Sequence, residues 1–172
     1  MKQKTRVAEL DSCTRGDFVR LIGPVFEHSP WIAEATWVQR PFGDLETLHR
    51  TLCKTVRRAA REEQLTLIRA HPDLVSRAAL AGSLTPQSSS EQASAGLDKL
   101  TDEEIAYFQS SNRAYRDRFG FPFVICARLN KKEAILRGFR ERLQHSREAE
   151  VETALEEIYK IAYLRLLDIV AA

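Results

Sequence analysis

The sequence predicts an all-α fold: a single-domain, irregular antiparallel bundle of about eight helices with one short extended segment. Three observations lead there. Apolar residues recur at helical spacing along most of the chain, as in Leu45, Leu48, Leu52 and Val56. Capping residues and Pro or Gly breakers separate these stretches at short intervals. Only one run, Phe121-Pro122-Phe123-Val124-Ile125-Cys126-Ala127, reads as extended, and a lone strand has no partner with which to build a sheet.

In order, Thr14 caps a helix through Phe26 with Phe18, Leu21, Ile22 and Val25 on one face. Ser29-Pro30 reads as an N-cap with proline at the first helical position, opening a helix through Trp37. Pro41-Phe42-Gly43 breaks the pattern, and Asp44 caps the next helix. Arg61 to Ala70 buries Leu65, Leu67 and Ile68, then stops at His71-Pro72. After Ser76 a short helix ends at Gly82; Thr85 to Ser90 reads as a polar loop before a helix from Glu91 to Leu100. Thr101 and Glu104 have capping-box spacing and open a long helix ending at Gly120. Asn130 opens another through Leu143, and Ser146 begins the last, up to Val170.

A chain of 172 residues holds one real core, so residues 1–172 are expected to form one domain. Hydrophobic residues make up 44% and charged ones 29%, with a formal net charge of +2 and the two signs interleaved, which gives no nucleic-acid footprint. Cys13, Cys53 and Cys126 are odd in number and form no C-x-x-C, so they read as reduced, core or near-core thiols. Met1 to Arg15 is too polar for a signal peptide, and no run approaches the length of a membrane span. The closing Ala171-Ala172 is no peroxisomal address, so a cytoplasmic location is expected and a membrane partner is not.

Polar chemistry concentrates between Ala70 and Gln92. Pro72 disfavours the α conformation at His71, which places that imidazole where a helix stops. There it is either a candidate acid or base, or a helix C-terminal residue favoured by the helix dipole. Ser88 and Glu91 have the spacing of an N-cap and its third residue, and capping alone accounts for both. Arg165 shares a stripe with Ile158, Ala162 and Ile169, so it points inward. A buried guanidinium needs either a ligand or an internal carboxylate, with Glu91 or Asp73 as candidates. The apolar run Phe123 to Ala127 is expected to be buried, leaving backbone amides and carbonyls for neighbouring loops or an amide-rich ligand. His28, His49 and His145 fit no metal-ligand spacing, and no phosphate-binding glycine loop or G-x-S-x-G occurs.

Five pieces in order carry a resemblance: Glu27-His28-Ser29-Pro30-Trp31, His71-Pro72-Asp73-Leu74, Ser88-Ser89-Ser90-Glu91-Gln92 with Ala95-Gly96-Leu97, Asn112-Arg113-Ala114-Tyr115 leading into Phe119-Gly120-Phe121-Pro122-Phe123-Val124, and Ile161-Ala162-Tyr163-Leu164-Arg165-Leu166. Together they resemble the 2-oxo-4-hydroxy-4-carboxy-5-ureidoimidazoline (OHCU) decarboxylase family, over nearly the whole chain. The resemblance implies a helical homodimer that needs neither cofactor nor metal and turns a small ureidoimidazoline into (S)-allantoin in urate degradation. By motif it places the catalytic roles on His71 and Glu91. It places substrate binding on Pro72, Ser88, Gln92, Arg165 and the run Phe123, Val124, Ile125, Cys126 and Ala127. Two rival readings stay open: a ureide- or purine-binding helical module without turnover, and a different cofactor-free ureide lyase. A helical adaptor fits less well, because it needs no inward arginine.

Overall fold

The structure, a computed structural model, describes residues 4–171. The first three residues of the polar start and Ala172 of the closing pair lie outside the described residues. In chain order the elements are β1 (Thr5–Arg6), α1 (Val7–Ser12), α2 (Arg15–Ile22), α3 (Trp31–Trp37), α4 (Leu45–Arg58) and α5 (Arg61–Arg69). There follow α6 (Arg77–Leu80), α7 (Pro86–Ser94), α8 (Asp102–Phe119), α9 (Lys132–Arg142), α10 (Arg147–Ile169) and β2 (Val170–Ala171). The all-α expectation holds, with ten α-helices among the described residues. They divide into two compact units: one runs to Ala70 and resumes at Tyr159, and the other is His71–Ile158.

In the first unit, the Thr14 hydroxyl accepts from the Asp17 amide and starts α2, and the Asp44 carboxylate accepts from the Thr47 amide at 2.6 Å to start α4. The predicted stripe Leu45, Leu48, Leu52 and Val56 is buried, as are Phe18 and Ile22 of α2 and Ile32 of α3. Phe18 stacks on Phe42 with centroids 5.7 Å apart. Helix α2 is shorter than expected. It gives way at Gly23 to a 3-10 turn, because Pro24 has no amide hydrogen to extend the α-helical ladder. Helix α3 also starts one residue later than the sequence suggests. Pro30 stands at its cap, and the Ser29 hydroxyl donates instead to the Glu27 carbonyl at 2.9 Å. The unexpected α1 rests on Arg6, whose amide and guanidinium both donate to Glu9. Equally unexpected, β1 and β2 pair in parallel, Thr5 opposite Val170 and Arg6 opposite Ala171. Two-residue strands are too short to leave a pattern in a sequence.

The second unit is organised around an aromatic cluster. The Tyr115 ring of α8 meets Phe119, Phe121, Phe123 and Phe139, with centroids between 4.7 and 6.4 Å. Phe123 stacks on Phe139 of α9 at 3.9 Å. Gly138, one residue earlier on α9, makes room for this: a β-carbon there would lie 3.2 Å from the Phe123 ring. The Thr101–Glu104 capping box opens α8 as expected, and Gly120, at φ 78°, ends it in the left-handed conformation.

Helix α7 corrects the sequence reading. It begins at Pro86 with Thr85 as its cap, the Thr85 hydroxyl accepting from the Ser88 amide, so residues 86–90 are helix rather than loop. Proline at the first helical position was the signal, overshadowed by the serine run. Ser88 and Glu91 therefore form no capping box. Helix α9 starts at Lys132 with Lys131 at its cap, because the Asn130 amide is turned to the Cys126 carbonyl at 3.0 Å. The run 121–126 makes no strand ladder and ends in a 3-10 turn, Ala127–Leu129.

Candidate active site

His71 follows the last turn of α5 and is buried, with 6% of its surface exposed. The residues after it are held one by one. Both oxygens of the Asp73 carboxylate lie 2.9 Å from Nε of Arg116. The Asn112 side-chain amide donates to the Leu74 carbonyl at 2.7 Å, and the Val75 amide donates to Oε1 of Gln92 at 3.1 Å. Val75 has φ 51°, a left-handed conformation that is uncommon outside glycine and a genuine outlier for a β-branched residue.

Ser88 and Gln92 are buried on α7, one turn apart, and Glu91 between them is half-buried. Gln92 thus spends its carbonyl oxygen on Val75, and the other end of its amide remains as a donor. It also lines an open cleft of about 350 Å³ with Val75, Leu84, Leu97 and Ile105. A second, polar cleft of about 360 Å³ is lined by Asp73, Arg77, Asn112, Arg113 and Arg116.

In the run 123–127, Phe123, Val124, Cys126 and Ala127 are buried and Ile125 is half-buried. Side chains satisfy much of its backbone. Nη1 of Arg142 donates to the Val124 carbonyl at 2.7 Å, and the Cys126 amide donates to Oε2 of Glu157 at 2.8 Å. Among the described residues, neither the amide nor the carbonyl of Ile125 has a protein hydrogen bond. That pair is a donor and an acceptor side by side, the pattern an amide or ureide can match.

Arg142 belongs to a buried charge cluster the sequence reading missed. Its Nη2 lies 2.9 Å from Oε2 of Glu150, a fully buried carboxylate. Glu150 also accepts from the Tyr115 hydroxyl and meets Nδ1 of His145 at 2.9 Å. Burial, and with it the bond to Glu150, pushes the Tyr115 phenol far above its ordinary value, while the Arg142 charge opposes the shift. The signal was available. Ile135, Phe139 and Arg142 share one face of α9, the same argument that singled out Arg165.

Arg165 points inward as expected and is 4% exposed, with Ile158 and Ala162 also buried; Ile169, assigned to the same stripe, is 37% exposed, since the helix ends there. Arg165 makes an ion pair with Glu27 that the sequence does not indicate, and Asp73 is not its partner. Nη1 of Arg165 lies 2.9 Å from Oε2 of Glu27, itself buried, whereas Asp73 pairs with Arg116. Glu27 sits in an irregular turn, where no periodicity could mark it as an inward carboxylate. Among the described residues no group of three or more His, Cys, Asp or Glu side chains is placed to hold a metal ion, and no helix is long and apolar enough to cross a membrane. None of the three cysteines is in a disulfide, and Cys53 and Cys126 are buried.

The family model described as OHCU decarboxylase matches residues 11–167. The chain belongs to the OHCU decarboxylase family. It is 41% identical over 160 residues to the 2-oxo-4-hydroxy-4-carboxy-5-ureidoimidazoline decarboxylase of Halalkalicoccus jeotgali, covering 93% of this chain and 89% of that protein. The mouse (Mus musculus) OHCU decarboxylase is 40% identical over 166 residues, covering 96% and 93% respectively. Among solved structures, that of an (S)-allantoin synthase superposes with a TM-score of 0.77 at 30% identity; it covers 97% of this chain, which spans 54% of the solved one. An OHCU decarboxylase crystallised with (S)-allantoin shares the fold, with a TM-score of 0.65 at 24% identity and 80% of this chain covered.

Proposed function

We propose that this member of the OHCU decarboxylase family removes carbon dioxide from 2-oxo-4-hydroxy-4-carboxy-5-ureidoimidazoline and releases (S)-allantoin. The enzyme is then a carbon–carbon lyase of urate degradation. Family membership across residues 11–167 carries the reading. The burial of a histidine, a hydroxyl and a carboxamide in the unit His71–Ile158 supports it.

The substrate bears a carboxylate and a hydroxyl on one ring carbon, next to a carbon–nitrogen double bond. When the carbon–carboxylate bond breaks, its electron pair moves into that unsaturated neighbour, so the substrate supplies its own electron sink. Orientation, complementary charge and a proton are what remain for the protein to provide. In this reading His71 is the general acid–base group. It returns a proton to the ureido-bearing carbon from one face, which sets the hand of the product. Glu91 orients the imidazole and binds the substrate hydroxyl. Ser88, Pro72 and the free amide end of Gln92 hold ring and ureido atoms, and the 123–127 backbone pairs with the ureido group, Ile125 offering its open donor and acceptor. Arg165 takes a carbonyl or carboxylate oxygen. The family resemblance supports a homodimer.

The test is a coupled assay. Urate oxidase and hydroxyisourate hydrolase generate the unstable substrate in place, and circular dichroism follows optically active allantoin. The protein is expected to accelerate its appearance; no acceleration overturns the activity. General acid–base catalysis is worth about a hundred- to ten-thousandfold, so His71→Ala is expected to lose at least a hundredfold in turnover while folded. Near-native turnover overturns the role of His71.

A further inference from the structure

We propose that Asn112 is a positioning residue for His71, acting through the strained turn at Val75. The inference rests on the role of His71 above and adds the device that fixes it. Three consecutive residues behind His71-Pro72 are each gripped by a side chain from another helix of the same unit: Asp73 by Arg116, Leu74 by Asn112 and Val75 by Gln92. Asn112 and Arg116 stand four apart on α8, hence on one face. Asn112 and Gln92 are buried, and so are the side chains of Leu74 and Val75, which anchor the turn in the core.

Nothing about valine favours φ 51°, since its two γ-carbons crowd the backbone in the left-handed region. Such a conformation persists only where the surroundings over-determine it, and it recurs at sites where geometry matters to function. The over-determination is visible here. The bond from Asn112 to Leu74 is short, and Oδ1 of Asn112 has no protein hydrogen bond among the described residues, so the Leu74 carbonyl is what orients this side chain. Strain pulls the turn one way and two buried amides hold it the other, leaving one conformation. Pro72 stiffens the single residue between the turn and His71. A displacement of about 1 Å at a catalytic group can cost on the order of a hundredfold in rate. A clamp this close to the imidazole therefore bears on turnover.

The experiment compares two substitutions of similar volume loss in one background. Asn112→Leu removes the donor while nearly keeping the shape, and is expected to lower kcat about ten- to a hundredfold with KM within about threefold, since the proton donor is displaced more than the binding groups. Adding Val75→Gly lets the turn keep its conformation unaided, because glycine adopts positive φ without penalty, and is expected to restore most of kcat. Adding Val75→Ala removes the γ-carbons but keeps the β-carbon that penalises positive φ, and is expected to restore clearly less of kcat than Val75→Gly. A purely structural role predicts no difference between these double variants once turnover is normalised to folded protein. Wild-type kcat in folded Asn112→Leu, or equal kcat in the two double variants, overturns the inference. If Asn112→Leu does not fold, Arg116→Gln at the exposed end of the same clamp replaces it, with a severalfold fall in kcat expected and unchanged kcat overturning the inference. An inactive wild-type protein in the coupled assay sinks the proposed function instead, so the two failures are distinct.

Discussion

Glu150→Ala separates the buried charge cluster into its parts. In the intact protein the Glu150 carboxylate is fully buried and meets Arg142, Tyr115 and His145. The alanine variant leaves a guanidinium whose side chain is only 8% exposed with the Val124 carbonyl and the Tyr115 hydroxyl as its remaining bonds. Breaking a buried pair by removing one partner costs about 3–5 kcal/mol, because the surviving charge is stranded. The phenol also loses its acceptor, worth about 1–3 kcal/mol where a buried donor goes unmet, but the two losses share atoms and do not add. A loss of about 3–5 kcal/mol is therefore expected, against a total stability of about 5–15 kcal/mol for a domain. At an m-value of about 2 kcal/mol/M the urea midpoint falls by about 1.5–2.5 M, readable by far-UV circular dichroism. The double substitution Arg142→Met with Glu150→Gln removes the stranded charge and is expected to be less destabilising than Glu150→Ala alone. A loss under about 1 kcal/mol for Glu150→Ala, or a double variant worse than the single one, refutes this account of the cluster.

Alkaline unfolding reports on Tyr115. Its phenol is raised in the folded state, so its contribution to stability is complete below the unfolded value of about 10 and is lost as pH rises above that toward the folded value. Each pH unit in that window removes up to about 1.4 kcal/mol. Tyr115→Phe should flatten the decline in urea midpoint between about pH 10 and 11, and an unchanged slope would exclude the phenol as its source. At the start of α8, Thr101→Ala removes the hydroxyl that accepts from the Glu104 amide and should lower stability by about 1 kcal/mol in urea titration; no change would mean the cap is redundant.

Much of this molecule was readable from residue patterns where periodicity or a cap marked the element. Asp44, Thr101 and Gly120 set helix ends where their chemistry says they should. The inward arginine at 165 followed from its stripe alone. What escaped had a local signature that was weak or overshadowed, or one that spans the chain. Helix α7 begins at a proline hidden beside three serines, and α1 has two buried positions, Val7 and Leu10, too few to show a period. The pairing of Arg165 with Glu27 was not foreseen because Glu27 lies 138 residues away in a turn, and long-range pairing is not encoded in spacing. Val75 offers the sharpest case. No sequence rule places a β-branched residue at positive φ, so its strained turn became visible only with the amides that enforce it.

The parallel pairing of Thr5–Arg6 with Val170–Ala171 also has a practical side. It ties the residues just before α1 to those just after α10, so removing Val170 and Ala171 also leaves Thr5 and Arg6 without their strand partner.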